Sequence, residues 1–204
     1  MGEFEKSFAV DEEIPVYRGF FNMFRLKLRH TLFRGGWSGE LTRELFHRGT
    51  CVAVVLYDPV NDTVALIEQF RVGALKFKAD PWLLEIVAGA VEEGESPQEV
   101  ARREAREEAG CEIEHLIRVN EFFTTPGGSS EKITLFCGIV DTAKLGGFHG
   151  LAEEDEDIRV EVVDFDEAWG LLENGVIDSA IPIIALQWLA MNRARLRLEY
   201  GASY

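Results

Sequence analysis

The 204-residue sequence predicts a mixed α/β sandwich around one hydrophobic core, with a β-ribbon ahead of it. Two observations support this fold class. Hydrophobic residues make up 47% of the chain, which is enough for a sizeable core and argues against disorder. Strand-like runs, some alternating and some continuously apolar, are interrupted by three segments with helical features. The length suits one domain of ordinary size, with at most a small appendage.

The predicted ribbon occupies the N-terminal part of the chain. We expect residues 1–13 to be a loose acidic leader. Residues 16–32 predict a strand with one basic face, because apolar and basic side chains alternate there (Phe24, Leu26 and Leu28 with Arg25, Lys27 and Arg29). RGGWSG at 34–39 predicts a turn, and residues 40–46 the returning strand. Two interpretations stay open: a half-buried structural hairpin, or a surface that binds a ligand or a second subunit.

The remaining elements alternate between strands and helices. Strands are predicted at 50–57, 63–70, 82–87, 112–124, 132–140 and 158–165. A short helix is predicted at 167–173, with Asp166 as its candidate cap. A long helix is predicted at 181–198, and its basic C-terminal end suits the helix dipole. Residues 141–157 are expected to be mostly loop, and a further helix begins after Ser96.

Composition limits the classes of function. With 36 acidic and 21 basic residues the net charge is −15, so the chain would repel nucleic acid unless a basic patch is segregated. Small anions would also be repelled unless cations lie between them and the protein. The three cysteines stand far apart, which favours reduced thiols in a cytoplasmic protein over disulfides or a zinc site. The sequence contains no recognisable signal peptide and no apolar run long enough to span a membrane.

The segment GAVEEGESPQEVARREAREEAGC at 89–111 predicts a helix with well-marked ends. Ser96 is a candidate N-cap, Pro97 fits the first helical position, and Glu99 would complete a capping box. Gly110 is a natural stop at the C-terminal end. These local signals set which residues of the helix share a face.

Three acids fall on the helix face that should be apolar. At about 100° per residue, this arc contains Glu104, Glu107 and Glu108 together with Val100, Ala101 and Ala105. The alternative is a solvated helix with ion pairs four residues apart, but that would put the acids opposite the apolar stripe. Carboxylates desolvated together are costly unless a cation lies among them. Mg²⁺ or Mn²⁺ would meet that need, and Arg103 and Glu95 could orient the ligands.

The same residues resemble the signature of the Nudix hydrolase family, G-x5-E-x7-R-E-U-x-E-E-x-G-U. The matching residues are Gly89, Glu95, Arg103, Glu104, Glu107, Glu108 and Gly110, with small apolar residues at Ala105 and Cys111. The resemblance implies a Nudix α/β/α sandwich with mixed sheets, and Mg²⁺-dependent hydrolysis of a nucleoside diphosphate linked to another group. It implies metal ligands at Glu104, Glu108 and the carbonyl of Ala88, with Glu107 as a second-sphere residue or occasional ligand.

Other segments are similar to the ADP-ribose pyrophosphatase branch of that family. Pro126 lies sixteen positions after Gly110, and YRGFF at 17–21, IEQFR at 67–71 and GFHGLAEEDEDIRV at 147–160 fit the same branch. The likeness extends from about residue 14 onward. It implies cleavage of ADP-ribose, and of related ADP-sugars, to AMP and ribose 5-phosphate.

The resemblance to this branch also implies a homodimer with a shared active site. In that arrangement residues 1–46, the acidic leader and β-ribbon, form the dimerisation element and cross to the partner. Residues 47–204 form the hydrolase domain. No nucleic acid or membrane partner is expected.

Four substrate contacts follow from the resemblance. Phe20 would stack on adenine, with core packing as the alternative. Arg43 and Arg71 would pair with phosphates, or be surface ion-pair residues. Glu131 would bond the terminal ribose hydroxyls, or be a solvated residue at a strand edge.

The acid run EEDED at 153–157 is the last candidate feature. Such runs are usually solvated loops, but the glycines at 146, 147 and 150 predict a movable segment. The resemblance places two of its acids in the site, Glu154 as general base and Glu156 as a metal ligand when the loop closes. Glu153 is the alternative base.

Several functions stay open at this point. A related enzyme would act on a GDP-sugar, NADH or a dinucleoside polyphosphate instead. A non-catalytic ADP-ribose sensor is the alternative from another class, although a sensor need not keep the full set of acids. A calcium-binding protein is disfavoured, because the sequence has no D-x-[DN]-x-[DN]-G loop. The expected cofactor is Mg²⁺, for which Mn²⁺ can substitute, at two or three ions per site.

Overall fold

The computed structural model describes residues 5–201, apart from the side chain of Glu154. The chain divides into two compact units. The first contains the residues up to Thr50 together with Phe123–Lys132. The second contains Cys51–Phe122 and the residues from Ile133 onward.

The first unit contains a three-stranded antiparallel sheet. Its strands are β1 (Phe8–Arg18), β2 (Asn22–His30) and β3 (Leu41–His47), in the order β1–β2–β3. The prediction of a loose leader is wrong for residues 8–13, which lie in β1. The single strand predicted at 16–32 is also wrong in detail, because the turn between β1 and β2 interrupts it.

Acidic side chains of the leader pair with basic side chains across the β1–β2 strands. The guanidinium of Arg29 on β2 donates two hydrogen bonds of 3.0 Å to the carboxylate of Asp11 on β1. The ammonium of Lys27 donates to Glu12 at 3.1 Å. Opposite charges that face each other on neighbouring strands stabilise a sheet. Two of the three basic residues on the predicted basic face therefore have partners within the chain.

The second unit is built on an eight-stranded mixed sheet. Its strands are β4 (Thr50–Asp58), β5 (Thr63–Phe70), β6 (Trp82–Glu85), β7 (Val87–Ala90), β8 (His115–Phe123), β9 (Lys132–Ile139), β10 (Gly147–His149) and β11 (Ile158–Asp164). The order is β10–β11–β5–β4–β9–β8, and β6 and β7 pair with β5 and β4 respectively.

Helices cover both faces of this sheet. Helix α1 (Pro97–Ala109) packs on one face, and α2 (Phe165–Glu173) and α3 (Ala180–Tyr200) pack on the other. Alternate residues of β4 are buried towards opposite faces, which explains the continuously apolar run TCVAVVLY. The predicted α/β/α sandwich with an N-terminal antiparallel element is confirmed, with a hydrophobic cluster on each face instead of one core.

Three element predictions differ from the structure. The strand expected at 82–87 is two strands, β6 and β7, which pair with different neighbours. Helix α2 begins at Phe165, so Asp166 lies within the helix and does not cap it; its carboxylate pairs with Arg193 of α3 at 2.6 Å. The segment 141–157 is not mostly loop, since it contains β10 and two short 3-10 turns.

The longest helix is α3, with 21 residues. It packs on the sheet through an apolar stripe. Its Arg193 donates a hydrogen bond from Nε to the Asp62 carboxylate at 2.8 Å. Among the residues that the structure describes, no helix combines the length and apolar character needed to cross a membrane.

Candidate active site

Helix α1 begins and ends where the sequence predicts. The Ser96 hydroxyl accepts a hydrogen bond from the Glu99 amide at 3.3 Å, and the Glu99 carboxylate accepts one from the Ser96 amide at 2.9 Å. Pro97 is the first helical residue. Gly110 has a φ of 60°, the left-handed conformation that glycine adopts without strain, and its amide closes the last turn. The helix ends therefore set the position of the carboxylates between them.

Two of the three predicted acids are buried on the sheet-facing side of α1. Glu108 is 3% exposed and Glu104 is 9% exposed, among the apolar residues of the helix. Glu107 is only half-buried, so the sequence prediction overstates its burial. Arg102 is also half-buried, and its guanidinium donates to the carbonyl of Ile113.

Burial raises the pKa of both buried carboxyl groups. Desolvation is the largest cause, and it raises the pKa of Glu104 to about 7 and that of Glu108 to about 8. The charge of Arg103 opposes the rise in the pKa of Glu104, and the amide of Ala88 opposes it at Glu108. Acids with pKa values perturbed in this way concentrate at functional sites. A divalent cation between them would offset the cost of ionising both.

Arg103 contacts three carboxylates. Its guanidinium nitrogens lie 3.1 Å from Glu95, 2.8 Å from Glu104 and 2.8 Å from Glu107. Burial alone would lower the pKa of Arg103, but these acids raise it, so the guanidinium stays charged. The geometry suits the expected orienting role of Glu95, Arg103 and Glu107, and that role stays a prediction.

Strand β7 supplies backbone groups beside the same carboxylates. The amide of Ala88 donates to Glu108 at 2.8 Å. A Cβ atom on Gly89 would lie only 1.7 Å from the Glu104 carboxylate oxygen. Only glycine therefore lets Glu104 lie against β7. The carbonyl of Ala88, a predicted metal ligand, belongs to this stretch of backbone.

The segment that leads into the acid run contacts α1. The amide of Gly150 donates to the carbonyl of Glu107 at 3.1 Å. Glu156 accepts a hydrogen bond from the Leu151 amide at 3.4 Å, and its charge raises the pKa of both buried acids on α1. Glu156 is thus near them, as its predicted role requires. The side chain of Glu154 lies outside the described part of the chain, so Glu154 as the base, with Glu153 as the alternative, stays a prediction.

The predicted ligands have the chemistry that a divalent cation requires, but the structure does not bring the acids that it describes together around one point. Within the described residues, no three histidine, cysteine, aspartate or glutamate side chains lie close enough together to hold a metal ion. The carboxylate of Glu104 pairs with Arg103, and that of Glu108 accepts a hydrogen bond from the Ala88 amide. All the predicted ligand atoms are oxygens, which Mg²⁺ and Mn²⁺ prefer, and a cation would relieve the burial of two carboxylates.

Arg71 follows β5 and is held by Glu85 on β6. Its Nε atom donates to the Glu85 carboxylate at 2.6 Å, and the Glu85 side chain is 12% exposed. The charge of Arg71 also lowers the pKa of Glu108. Sequence reasoning missed Glu85. The available signal was an acid inside the apolar run WLLEIVAG, where a buried carboxylate needs a partner.

Three predicted substrate contacts belong to the first unit. Phe20, in the turn between β1 and β2, is 94% exposed and does not pack in a core. Within the residues that the structure describes, Arg43 on β3 has no ion-pair partner and donates only to a neighbouring carbonyl. Glu131 accepts hydrogen bonds of 2.8 Å from Arg48 and from the hydroxyl of Thr124. The substrate-binding roles of Phe20, Arg43 and Glu131 stay predictions.

Several known proteins are similar to this chain in sequence. A family profile described as the NUDIX domain matches residues 47–186. The ADP-ribose pyrophosphatase of Haemophilus influenzae is 46% identical over 194 residues, which cover 94% of this chain and 89% of the relative. The GDP-mannose pyrophosphatase of Cronobacter sakazakii is 37% identical over 158 residues, which cover 76% of this chain and 82% of the relative.

A solved structure shares the fold. The crystal structure of an ADP compounds hydrolase is 22% identical, with a TM-score of 0.69, and the match covers 96% of this chain and 97% of that one. Nudix hydrolases generally use divalent metal ions, in agreement with the buried acids on α1. The profile match covers most of the chain, and the sandwich fold and the acids on α1 agree with it. This chain therefore belongs to the Nudix hydrolase family.

Proposed function

We propose that this protein hydrolyses the pyrophosphate of ADP-ribose, and of related ADP-sugars, to AMP and the sugar phosphate. The observation that carries the proposal is the pair of buried carboxylates, Glu104 and Glu108, in a chain 46% identical to a named ADP-ribose pyrophosphatase. The lower identity of 37% to a GDP-mannose pyrophosphatase makes a GDP-sugar the second substrate class to test.

The proposed cofactor is Mg²⁺, at two or three ions per site, with Mn²⁺ as a substitute. Glu104, Glu108, Glu156 and the carbonyl of Ala88 would hold the ions. Bound Mg²⁺ would supply positive charge against the pyrophosphate oxygens, which a protein of net charge −15 otherwise repels. Arg103 keeps the carboxylate of Glu104 in place through their contact of 2.8 Å.

Glu154 is the proposed general base. It accepts the proton of a water molecule whose oxygen forms a bond to one phosphorus, while the bond from that phosphorus to the bridging oxygen breaks in line. Arg71, whose Nε atom donates to Glu85 in the structure, pairs with phosphate oxygens of the substrate. For ADP-ribose the two products are AMP and ribose 5-phosphate.

The proposal includes a homodimer with a shared active site and three further substrate contacts. Phe20 stacks on adenine, Arg43 pairs with a phosphate, and Glu131 bonds the terminal ribose. The first unit exposes the large side chains of Phe20 (94%), Phe8 (76%) and Tyr17 (61%), which a partner subunit would cover.

The test is a substrate panel of ADP-ribose, GDP-mannose, NADH and a dinucleoside polyphosphate, each with Mg²⁺. We expect ADP-ribose to give the highest kcat/KM, with products identified by chromatography in water labelled with heavy oxygen. Glu108→Gln should lose activity, whereas Arg106→Gln, on the exposed face of α1, should keep it. If the protein binds ADP-ribose tightly but does not hydrolyse it with either Mg²⁺ or Mn²⁺, it is a sensor of ADP-ribose and not an enzyme.

A further inference from the structure

The side-chain amide of Gln69 on β5 is buried without a hydrogen-bond partner. Gln69 is 8% exposed, and its Nε2 atom has no acceptor among the described residues. The amide nitrogen carries two donor hydrogens, and leaving them unpaired away from water destabilises the folded state. An unpaired buried group in a strand beside the candidate active site calls for a functional reason.

Gln69 lies on the same face of the sheet as the ion pair between Arg71 and Glu85. Ile67 on β5 pairs with Glu85 on β6, and Gln69 pairs with the residue two positions before Glu85. Side chains alternate along a strand, and the backbone at Arg71 is still extended, so Ile67, Gln69 and Arg71 point to one face. Glu85 shares that face as the direct partner of Ile67. The 2.6 Å contact between Arg71 and Glu85 therefore lies on the same face of the sheet as Gln69.

We propose that Gln69 becomes the hydrogen-bond partner of Glu85 when Arg71 turns to a phosphate of the substrate. Gln69 and Glu85 are diagonal neighbours across two paired strands, a separation that long side chains can reach. In the free protein Arg71 binds the carboxylate of Glu85, so the side-chain amide of Gln69 has no acceptor among the described residues. Once Arg71 turns away, the amide donates to the carboxylate and both groups are paired. The inference rests on the proposed function, because it requires Arg71 to bind a phosphate.

This exchange lowers the cost of moving Arg71. Breaking a partly buried ion pair leaves an uncompensated charge, here on a carboxylate whose side chain is 12% exposed. A hydrogen bond from an amide to a carboxylate is charge-assisted and replaces part of the lost attraction. The donor is unpaired only in the free protein. The hydrogen bond that it gains to Glu85 therefore strengthens substrate binding and does not stabilise the free protein. Gln69 is therefore a positioning residue that acts through Glu85 and Arg71 and does not touch the substrate.

The first test is Gln69→Met, which keeps the length of the side chain and removes the amide. The urea midpoint of the free protein should stay the same or rise, because an unpaired buried group is lost. The KM for ADP-ribose with Mg²⁺ should rise roughly tenfold, the scale of one hydrogen bond to a charged group. The matched control is Glu68→Gln, the neighbour on the opposite face, which pairs with Arg159 and should leave KM unchanged.

The decisive test is the double variant with Arg71→Ala. If Gln69 acts through Arg71, adding Gln69→Met to Arg71→Ala changes KM no further. Additive effects, or a wild-type KM in Gln69→Met alone, would overturn the inference. The Kd of inorganic pyrophosphate with Mg²⁺, measured by calorimetry, should follow the same pattern without turnover. That measurement tests the exchange even if wild type fails to hydrolyse ADP-ribose, a failure that would count against the proposed function instead.

Discussion

Glu108→Gln should stabilise the metal-free protein while it removes metal-dependent activity. Glutamine has the size of glutamate, and its oxygen can still accept the hydrogen bond that the Ala88 amide gives to Glu108 at 2.8 Å. It carries no charge, so the desolvation that raises the pKa of Glu108 to about 8 no longer opposes folding. One substitution therefore separates the stability of the fold from the function of the site.

The size of this stabilisation depends on pH. Between the ordinary pKa of 4.5 and about 8, folded wild type keeps a proton on Glu108 that the unfolded chain has lost, so stability falls as pH rises. One pKa unit corresponds to about 1.4 kcal/mol, which sets an upper limit of about 5 kcal/mol for Glu108. Because its titration is coupled to that of Glu104, we expect about 2–4 kcal/mol at pH 8 and little difference near pH 4.5.

The assay is urea unfolding in a metal chelator at several pH values between about 5 and 8, with Mg²⁺-dependent activity measured in parallel. Arg106→Gln is the control, since Arg106 lies on the exposed face of the same helix. Equal free energies of unfolding for wild type and Glu108→Gln at pH 8 would refute the argument from burial. Full activity of Glu108→Gln would remove Glu108 from the set of metal ligands.

Three further predictions address the base, the glycine in β7 and the dimer. Glu154→Gln should lower kcat roughly 10²–10⁴-fold with little change in the Kd of ADP-ribose. Glu156→Gln should raise the Mg²⁺ concentration needed for half-maximal activity. If Glu154→Gln keeps a near wild-type kcat in a Mg²⁺ titration, Glu153 is the base instead. Gly89→Ala should displace Glu104 and lower kcat/KM by about tenfold or more, while Gly73→Ala, with open space around it, should not. Analytical ultracentrifugation should find a dimer that Phe8→Asp weakens, and a monomeric wild type would contradict the shared site.

Local rules were enough to predict helix α1 and the acids that it buries. Its capping box and its left-handed glycine each involve residues within a few positions of one another, and helical periodicity then places Glu104 and Glu108 beside the apolar residues. The prediction overstated the burial of Glu107, because periodicity gives a direction but not a depth of burial. The continuous apolar run of β4 likewise indicated burial on both faces, as the two hydrophobic clusters show.

The features that the sequence missed depend on residues brought together from a distance. Strand β1 pairs with β2 and brings Asp11 to Arg29, 18 positions away, and no local pattern shows that the leader has a basic partner. The contact between Arg71 and Glu85, 14 positions apart, follows from the register of β5 on β6, which also places Gln69 on the same face. Sequence alone therefore determined the elements whose hydrogen bonds and periodicity are local. Only the tertiary structure decided which charged and polar groups meet, because strand register depends on the packing of the whole sheet.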